Sequence, residues 1–216
     1  MAFEKNYRVK LTADAFNRVD DSPDEKFYRI PRFTSHIDAA AIEAVTDLYR
    51  KKLTKNTRVL DLMSSWLSHL PTEISYRQVV GLGMNARELA NNKQLTDRVV
   101  HDLNRQPNLP FSDNVFDVGL ICVSIDYLTQ PIAVLKEIGR VLNTHSVLII
   151  TYSDRYFETK ATAAWLCLSN EQRAYLIKSF LNEAGCYEAI ELLDCSPGVG
   201  DPLYAVVATV SKNTEG

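Results

Sequence analysis

A histidine and two arginines lie in polar segments of this chain, and their side chains suit acid–base catalysis or anion binding. His36 is a candidate general base because imidazole titrates near neutral pH, and Asp38 or His69 is its candidate neighbour. The plainer interpretation is that His36 only begins a helix and takes part in no chemistry. Arg32 and Arg155 would suit an anionic substrate, since guanidinium groups pair with carboxylates and phosphates. The candidate substrate-binding residues are Tyr28, Arg32, His36, His69, Arg155 and Lys160.

The cysteines indicate neither a zinc site nor a disulfide framework. The chain has 4 cysteines, and none belongs to a CxxC pair or has zinc-ligand spacing with a histidine. Cys122 lies in an apolar run and is expected to be a small buried hydrophobe. The spacing of His36, Asp38 and His69 gives no support to a metal site either. We therefore expect no bound metal and a reducing, cytoplasmic location.

The composition is that of one globular domain that binds small molecules or proteins. The chain has 216 residues, of which 46% are hydrophobic and 24% charged, and this is enough for a sizeable core. The net charge is -3 with no basic block, so binding to nucleic acid or to an anionic membrane surface is not expected. Met1–Leu11 is charged throughout, which predicts no signal peptide, and no apolar run is long enough to span a bilayer.

Short apolar runs that alternate with amphipathic segments must position the candidate side chains. We predict strands at Arg58–Met63, Gln78–Leu82, Arg98–Leu103, Val115–Ser124, Val147–Thr151, Tyr187–Leu193 and Leu203–Val210. We predict helices at His36–Leu53 with Ser35 as its N-cap, Ala86–Asn92, Ile132–Leu142, Thr159–Leu166 and Asn170–Ala184. This alternation predicts an α/β fold with a mostly parallel sheet, helices on both faces and an antiparallel final strand. Residues 1–35 are expected to form an N-terminal arm or lid, and residues 36–216 the domain.

The segment after the first predicted strand, Leu60–His69, resembles the corresponding segment of class I S-adenosylmethionine-dependent methyltransferases. In that family the strand ends in an acidic residue, here Asp61, and a glycine-rich loop follows. Met63–Trp66 (MSSW) stands in place of the glycines, which would let the backbone approach the methionine part of the cofactor. Two interpretations have equal weight. Either the serines make this a modified cofactor loop, or Ser64 or Ser65 merely caps a helix.

The end of the second predicted strand departs from the family pattern. An acidic residue usually binds the ribose hydroxyls there, but this chain has Gly83, with Asn85 two residues later. Asn85 would contact the ribose or cap the next helix. The missing acid implies weaker cofactor binding, which a Gly83→Asp substitution is expected to strengthen. Gly81, Gly83 and Ala86 also match a nicotinamide fingerprint, with Asp102 downstream, but that fingerprint normally follows the first strand.

The third and fourth predicted strands carry the most specific part of the resemblance. His101–Asn104 (HDLN) and Leu109–Asp117 (LPFSDNVFD) resemble the family's D-x-x-x-LPF-x-x-x-x-FD stretch, and Glu137–Leu142 matches its E-x-x-R-V-L helix ending. The acid and the arginine of that ending are three residues apart and are expected to pair. The resemblance implies that Asp102 contacts the adenine amino group and that Leu103 packs on the ring. The plainer interpretation is that Asp102 caps a turn.

The resemblance covers Val59–Val210 and is closest to the small-molecule branch called methyltransferase type 11. It implies a Rossmann-like seven-stranded fold, S-adenosylmethionine as methyl donor, S-adenosylhomocysteine as product, and a small-molecule acceptor. A non-catalytic module that binds a ligand or a protein partner is the alternative, and a nicotinamide oxidoreductase is a third reading. No catalytic residue is implied, because methyl transfer depends mainly on positioning. The implied cofactor-binding residues are Asp61, Met63, Ser64, Ser65, Gly83, Met84, Asn85, Asp102, Leu103, Asn104 and Cys122.

Overall fold

The computed structural model describes residues 11–212, in which a seven-stranded sheet has the order β3-β2-β1-β4-β5-β7-β6. The strands are β1 (Arg58–Leu62), β2 (Gln78–Gly83), β3 (Asp97–Val100), β4 (Phe116–Cys122), β5 (Leu142–Tyr152), β6 (Tyr187–Asp194) and β7 (Tyr204–Val210). Strands β1 to β5 pair in parallel, and β7 pairs antiparallel with both β5 and β6. The predicted α/β class, the mostly parallel sheet and the antiparallel final strand are confirmed.

Helices cover both faces of the sheet. They are α1 (Asp24–Tyr28), α2 (Ala39–Lys52), α3 (Ala86–Asn91), α4 (Pro131–Val141), α5 (Ala163–Leu166) and α6 (Asn170–Ala184). The central strands are buried on both sides, and their side chains alternate between two cores. Val59 packs with α2, whereas Leu60 and Leu62 pack on the opposite face with α4 and α6. Among residues 11–212, every helix is too short or too polar to cross a bilayer.

Helix boundaries follow capping chemistry, which corrects one prediction. Helix α2 begins after Asp38, whose carboxylate accepts a hydrogen bond from the amide of Ala41, and not after Ser35. Helix α6 has the predicted bounds because Ser169 and Gln172 form a reciprocal capping box at its start. Gly185 ends it in the left-handed conformation, with a φ of 76°.

Three further element predictions need correction. The third strand ends at Val100, and residues 101–104 turn away from the sheet. No helix lies between β1 and β2, so neither Ser64 nor Ser65 is a helix cap. Only Ala163–Leu166 of the predicted Thr159–Leu166 helix is helical, because Thr159 and Thr162 pair with residues 18–20 of an N-terminal segment instead.

That N-terminal segment runs against residues 159–164 and fixes the start of the described chain. The amide of Asp20 donates to the carbonyl of Thr159 at 2.8 Å, and the amides of Ala163 and Ala164 donate to carbonyls of the segment at 2.8 and 2.9 Å. The first ten residues of the predicted arm lie outside the described residues. The division into an arm of 1–35 and a domain of 36–216 stays a prediction.

Candidate functional site

A cavity lies at the carboxyl ends of β1, β2 and β4, where ligands bind in open parallel sheets. One side is formed by the strand ends together with residues 63–70, here called the β1 loop. The other side is formed by residues 24–37, here called the N-terminal wall, and by Tyr127 and Phe157. Most of the exposed lining surface is apolar, and both sides contribute polar groups.

Small polar side chains hold the β1 loop in the absence of glycines. The hydroxyls of Ser64 and Ser68 both donate to Asp61, at 2.6 and 2.7 Å, and the Ser65 hydroxyl donates to Glu88 at 2.6 Å. Asn92, on the far side of the loop, donates to the carbonyl of Ser65 and to the Ser68 hydroxyl. The serine hydrogens are therefore given to carboxylates of the protein, and the loop is fixed before any ligand binds.

Asp61 is a buried carboxylate that faces the cavity. Only 3% of its surface is exposed, and this burial raises the pKa of Asp61 to about 6, against the opposing effect of the two serine hydroxyls. The carboxyl group is thus ionised at neutral pH and protonated in mild acid. An anion held in this way attracts a positively charged ligand.

Gly83 has a packing reason that the sequence pattern did not reveal. A Cβ at this position would lie 2.1 Å from the carbonyl oxygen of Ser64, because the β1 loop crosses directly over the end of β2. The amide of Ser64 donates to the carbonyl of Leu82 at 2.8 Å and holds the two segments together. An aspartate at position 83 therefore has no room unless the loop moves, and the predicted gain from Gly83→Asp is not expected from this structure.

Asn85 lies next to the cavity but does not line it. Its side-chain oxygen accepts from the amides of Arg87 and Glu88, so it caps α3, and its amide group donates to the carbonyls of Tyr28 and Arg29. The helix-capping interpretation describes these contacts. The same residue also attaches the N-terminal wall to the sheet.

Glu88 is a residue that the sequence analysis missed. Its carboxylate accepts from the Ser65 hydroxyl and, at 2.7 Å, from the amide of Arg32, so it joins the β1 loop to the N-terminal wall. The available signal was the Asn85–Glu88 spacing, which is typical of a helix start. That spacing predicts a local capping contact, whereas the glutamate bonds to two distant segments.

Asp102 lines the cavity and caps a turn, as the plainer interpretation predicted, and its contact with adenine stays a prediction. Its Oδ1 accepts from the amides of Asn104 and Arg105 at 3.0 and 3.1 Å. Leu103 is buried beside it. Asn104 donates to Asp24 and to the carbonyl of Tyr127, both at 2.8 Å, and therefore connects this turn to the N-terminal wall.

Three cavity-lining residues adopt left-handed backbone conformations. Met63, His69 and Val123 have φ angles of 53°, 55° and 42°, and none is a glycine. A β-branched residue such as Val123 is rare in this conformation. Backbone strain of this kind is concentrated at functional sites, where surrounding contacts maintain it.

A buried group of charges fixes the N-terminal wall. Asp24 accepts two hydrogen bonds from Arg18 at 2.8 and 2.9 Å, and Lys160 lies 3.1 Å from the same carboxylate. Lys160 is fully buried and also donates to the carbonyls of Asp20 and Ser22. Lys160 is thus a structural cation and does not line the cavity, contrary to its predicted substrate-binding role.

The two predicted arginines are also absent from the cavity lining. The Arg32 guanidinium lies over the rings of Phe27 and Phe157, 4.4 and 5.3 Å from their centroids. Arg155 is 61% exposed and lies 3.8 Å from Asp201, on the outer surface. Among residues 11–212, no lysine or arginine lines the cavity.

The remaining predicted residues surround the cavity. Every implied cofactor-binding residue except Asn85 lines it, and so do three of the six substrate candidates, Tyr28, His36 and His69. Burial raises the pKa of the Cys122 thiol to about 11, so this cysteine stays protonated. Lining residues that the sequence analysis did not single out include Asp24, Ser124, Tyr127 and Phe157.

No grouping of three or more histidine, cysteine, aspartate or glutamate side chains within the described chain is suited to hold a metal ion. Gly81, part of the nicotinamide fingerprint, packs against Leu95, whose Cδ1 would lie 2.4 Å from an added Cβ. The glycines of that fingerprint are therefore explained by packing.

Comparison with known proteins identifies the fold. Residues 62–150 match the family model described as a methyltransferase domain. The chain has the class I methyltransferase fold. An S-adenosylmethionine-dependent methyltransferase from Aquifex aeolicus is similar, with 17% identity, a TM-score of 0.56, and coverage of 79% of this chain and 91% of that one. This confirms the resemblance to S-adenosylmethionine-dependent class I methyltransferases.

Two other solved structures show how varied proteins of this fold are. Phosphoethanolamine N-methyltransferase 2 of Haemonchus contortus, in complex with S-adenosyl-L-methionine, has 13% identity and a TM-score of 0.56, with 79% of this chain and 52% of that one covered. The cyclase SpnF has 17% identity and a TM-score of 0.59, with coverage of 78% and 81%. No curated protein matches this sequence significantly. Because a cyclase shares the fold, the reaction must be argued from the site.

Proposed function

We propose that this protein binds S-adenosylmethionine in the cavity and transfers its methyl group to a small-molecule acceptor. The observation that carries the proposal is the charge of the lining. Asp61 and Asp102 line the cavity at two strand ends, and no lysine or arginine among the described residues joins them. An acidic cavity at the carboxyl edge suits a cationic nucleoside ligand better than a phosphorylated dinucleotide such as NAD, which needs positive partners.

The residues present suit such a ligand in three places. Asp102 would accept a hydrogen bond from the adenine amino group, and Leu103 would pack against the ring. Asp61 would attract the positive methionine end through the fixed β1 loop. Bound S-adenosylmethionine supplies an electrophilic methyl group on a sulfonium. The protein's part is then to hold donor and acceptor in line and to exclude water, which needs few catalytic side chains.

The missing ribose acid sets the expected affinity. Gly83 offers only backbone atoms at the end of β2, and Asn85 is already engaged by α3 and the N-terminal wall. Each lost contact of ~1.4 kcal/mol lowers affinity about tenfold. We therefore expect binding that is real but weaker than is usual for the family. Four free thiols within the described residues fit a reducing compartment, and a cytoplasmic location stays a prediction.

Titration calorimetry with S-adenosylmethionine, S-adenosylhomocysteine and NAD tests the proposal. The matched variant is Asp102→Asn, which keeps an oxygen for the turn amides but removes the charge. It should weaken binding by about 1.5–3 kcal/mol, the range for a hydrogen bond to a charged group. Asp102→Ala should lose at least as much, because it also loses the turn cap.

The alternative function is a non-catalytic module that binds a protein partner. If wild-type protein binds neither S-adenosyl ligand, the enzyme proposal fails and this module replaces it. If it binds NAD and neither S-adenosyl ligand, the nicotinamide reading replaces both. Unchanged affinity in Asp102→Asn would show that the adenine contact is assigned to the wrong residue.

A further inference from the structure

The acceptor side of the cavity is aromatic and lacks a cationic side chain. Tyr28, Tyr127 and Phe157 line it, and Phe157 lies at the centre of a ring cluster, 5.9 Å from Tyr127 and 5.2 Å from His36 between ring centroids. Arg32 and Arg155, the two arginines expected to suit an anionic substrate, do not line the cavity, and neither does Lys160. A carboxylate or phosphate acceptor would enter this space without a positive partner, at a large desolvation cost.

A positively charged acceptor is also disfavoured on this side. The Arg32 guanidinium already lies 5.3 Å from the Phe157 ring centroid and 5.9 Å from that of Tyr28, and both rings line the cavity. The aromatic faces that would attract an ammonium group are therefore partly occupied by the protein's own cation. Aromatic walls that offer no positive partner to an anion, and that already lie beside a cation of the protein, suit a neutral, planar, apolar acceptor.

Three imidazoles line the cavity, and two of them, His36 and His69, are on its opposing sides. His36 belongs to the N-terminal wall, and His69 lies near the end of the β1 loop in a left-handed conformation. Burial lowers the pKa of His36 below its usual 6.5. Nearby Arg32 adds to this effect and Glu88 opposes it. Burial also lowers the pKa of His69, and the charge of His36 adds to this effect.

Other titratable groups near this space are poorly placed to accept a proton. Burial raises the pKa of Tyr28, so its hydroxyl stays protonated. Asp24 is held by Arg18 and Lys160. Asp126 is buried behind the lining and does not line the cavity. The third lining histidine, His101, has its Nε2 2.8 Å from the carbonyl of Gln106. His36 and His69 are therefore the lining groups that combine access, a largely neutral form at pH 7 and a ring nitrogen that can accept a proton.

We infer that the acceptor is a neutral planar compound with a weakly acidic hydroxyl, such as a phenol, and that His36, supported by His69, takes its proton during methylation. This inference rests on the proposed function and deepens it. In the step, a neutral imidazole accepts the hydroxyl proton and later releases it to solvent. The acceptor oxygen forms the new bond to the methyl carbon, and the electron pair of the broken C–S bond stays on sulfur as the thioether of S-adenosylhomocysteine.

A panel of acceptors matched in shape tests the acceptor class. Transfer of a radiolabelled methyl group from S-adenosylmethionine is measured with β-naphthol, β-naphthylamine and β-naphthoate. We expect methylation of β-naphthol and little or none of the other two. Preference for the amine or the carboxylate overturns the inference, and so does failure of β-naphthol to be methylated or to bind in the presence of S-adenosylhomocysteine.

Histidine variants test the base. His36→Gln and His69→Gln should lower kcat for β-naphthol by up to about 10²–10⁴-fold, the usual contribution of general base catalysis, with the larger effect at His36. His145→Asn, at an exposed position in β5 outside the site, is the control and should have wild-type activity. In wild type the acidic limb of the kcat profile should lie below pH 6.5, and it should disappear in His36→Gln. The profile is measured with saturating S-adenosylmethionine, so that protonation of Asp61 does not limit binding.

The split between binding and rate separates catalysis from structure. His36→Gln and His69→Gln should bind S-adenosylhomocysteine and β-naphthol about as tightly as wild type while kcat falls. Equal losses of β-naphthol affinity and of kcat would assign the histidines a structural role and overturn the inference. Titration with S-adenosylhomocysteine distinguishes failure of this inference from failure of the proposed function. If the ligand binds and the naphthol pattern fails, the inference falls while cofactor binding stands.

Discussion

The two sides of the cavity are held by different physical means. The β1 loop is fixed by short polar contacts among residues close to the strand ends, such as the two serine hydroxyls on Asp61. The N-terminal wall is fixed by a buried group of charges, in which Lys160 bonds to a carbonyl 140 positions away in the chain. The first side is therefore rigid by local bonding. The second depends on one ionic group that joins distant parts of the chain.

This difference predicts which substitutions act through stability and which act through ligand affinity. Loss of a charge from the ionic group leaves buried partners uncompensated, which is costly throughout the molecule. Loss of a polar group on the β1 loop changes the charge that the cavity presents to a ligand. Removal of one charged or polar group should therefore mainly change stability on the N-terminal wall and mainly change ligand affinity on the β1 loop.

The largest expected effect is on the N-terminal wall. Asp24→Asn removes the anion between Arg18 and Lys160 and should lower the free energy of unfolding by about 3–5 kcal/mol, the cost of breaking a buried ion pair. Urea denaturation measures it. The matched control is Asp21→Asn, three residues earlier and 73% exposed, which should change stability by less than about 1 kcal/mol. Equal effects of the two substitutions would show that the ionic group does not hold the wall.

The same group predicts a response to acid. Burial alone would raise the pKa of Asp24, but hydrogen bonds from Arg18 and Asn104 outweigh it, so the pKa lies below the usual 3.8. A lowered pKa means that the stabilisation is complete above pH 3.8 and is lost as the pH falls through the lower, folded-state value. Wild type should therefore lose stability below about pH 4 more steeply than Asp24→Asn. If the free energy of unfolding falls equally with pH in the two proteins, this assignment is wrong.

On the β1 loop, Asp61→Asn should weaken S-adenosylmethionine binding by about 1.5–3 kcal/mol, because the cavity loses a buried charge. The pH dependence of S-adenosylmethionine binding gives a second test of the same assignment. The pKa of Asp61 is raised to about 6, so the carboxyl becomes protonated as the pH falls from 7 to 5, and wild-type affinity should fall over that range. Calorimetry at several pH values checks it. Asp61→Asn should show no such fall, and a fall of equal size in both proteins would remove Asp61 from the binding site.

The sequence predicted the first side of the cavity far better than the second. Alternating apolar runs indicated the sheet, so the residues that follow β1, β2 and β4 were placed together correctly at one edge. The ionic group that holds the N-terminal wall could not be predicted, because Lys160 and Asp24 pair across most of the chain and Lys160 was placed in a predicted helix. The role of Gly83 was also hidden, since its constraint comes from the Ser64 carbonyl above it and not from its own backbone conformation.

A smaller effect is expected where the β1 loop crosses β2. Gly83→Ala should destabilise the protein by about 1–3 kcal/mol, the usual cost of overpacking, and should weaken S-adenosylmethionine binding because the loop must move. Gly198→Ala is the control, since nothing lies within 4 Å of an added Cβ there. Thermal unfolding and calorimetry measure the two effects. If Gly83→Ala binds as tightly as wild type, the close crossing does not shape the cofactor site.

The smallest expected effect lies where the two sides meet at the cavity mouth. Phe33 of the N-terminal wall packs edge-on against Trp66 of the β1 loop, with centroids 6.1 Å apart, and the Trp66 indole donates to the carbonyl of Thr34 at 3.2 Å. A double-mutant cycle with Phe33→Ala and Trp66→Ala should give a coupling of about 0.5–1.5 kcal/mol in the free energy of unfolding. Val199→Ala, at an exposed apolar position in another loop, should not couple to Trp66→Ala. If the two sides close over the ligand through this contact, the coupling should increase when S-adenosylhomocysteine is bound. A coupling that is absent in both states would mean that the sides are joined only at their base, through Glu88 and Asn104.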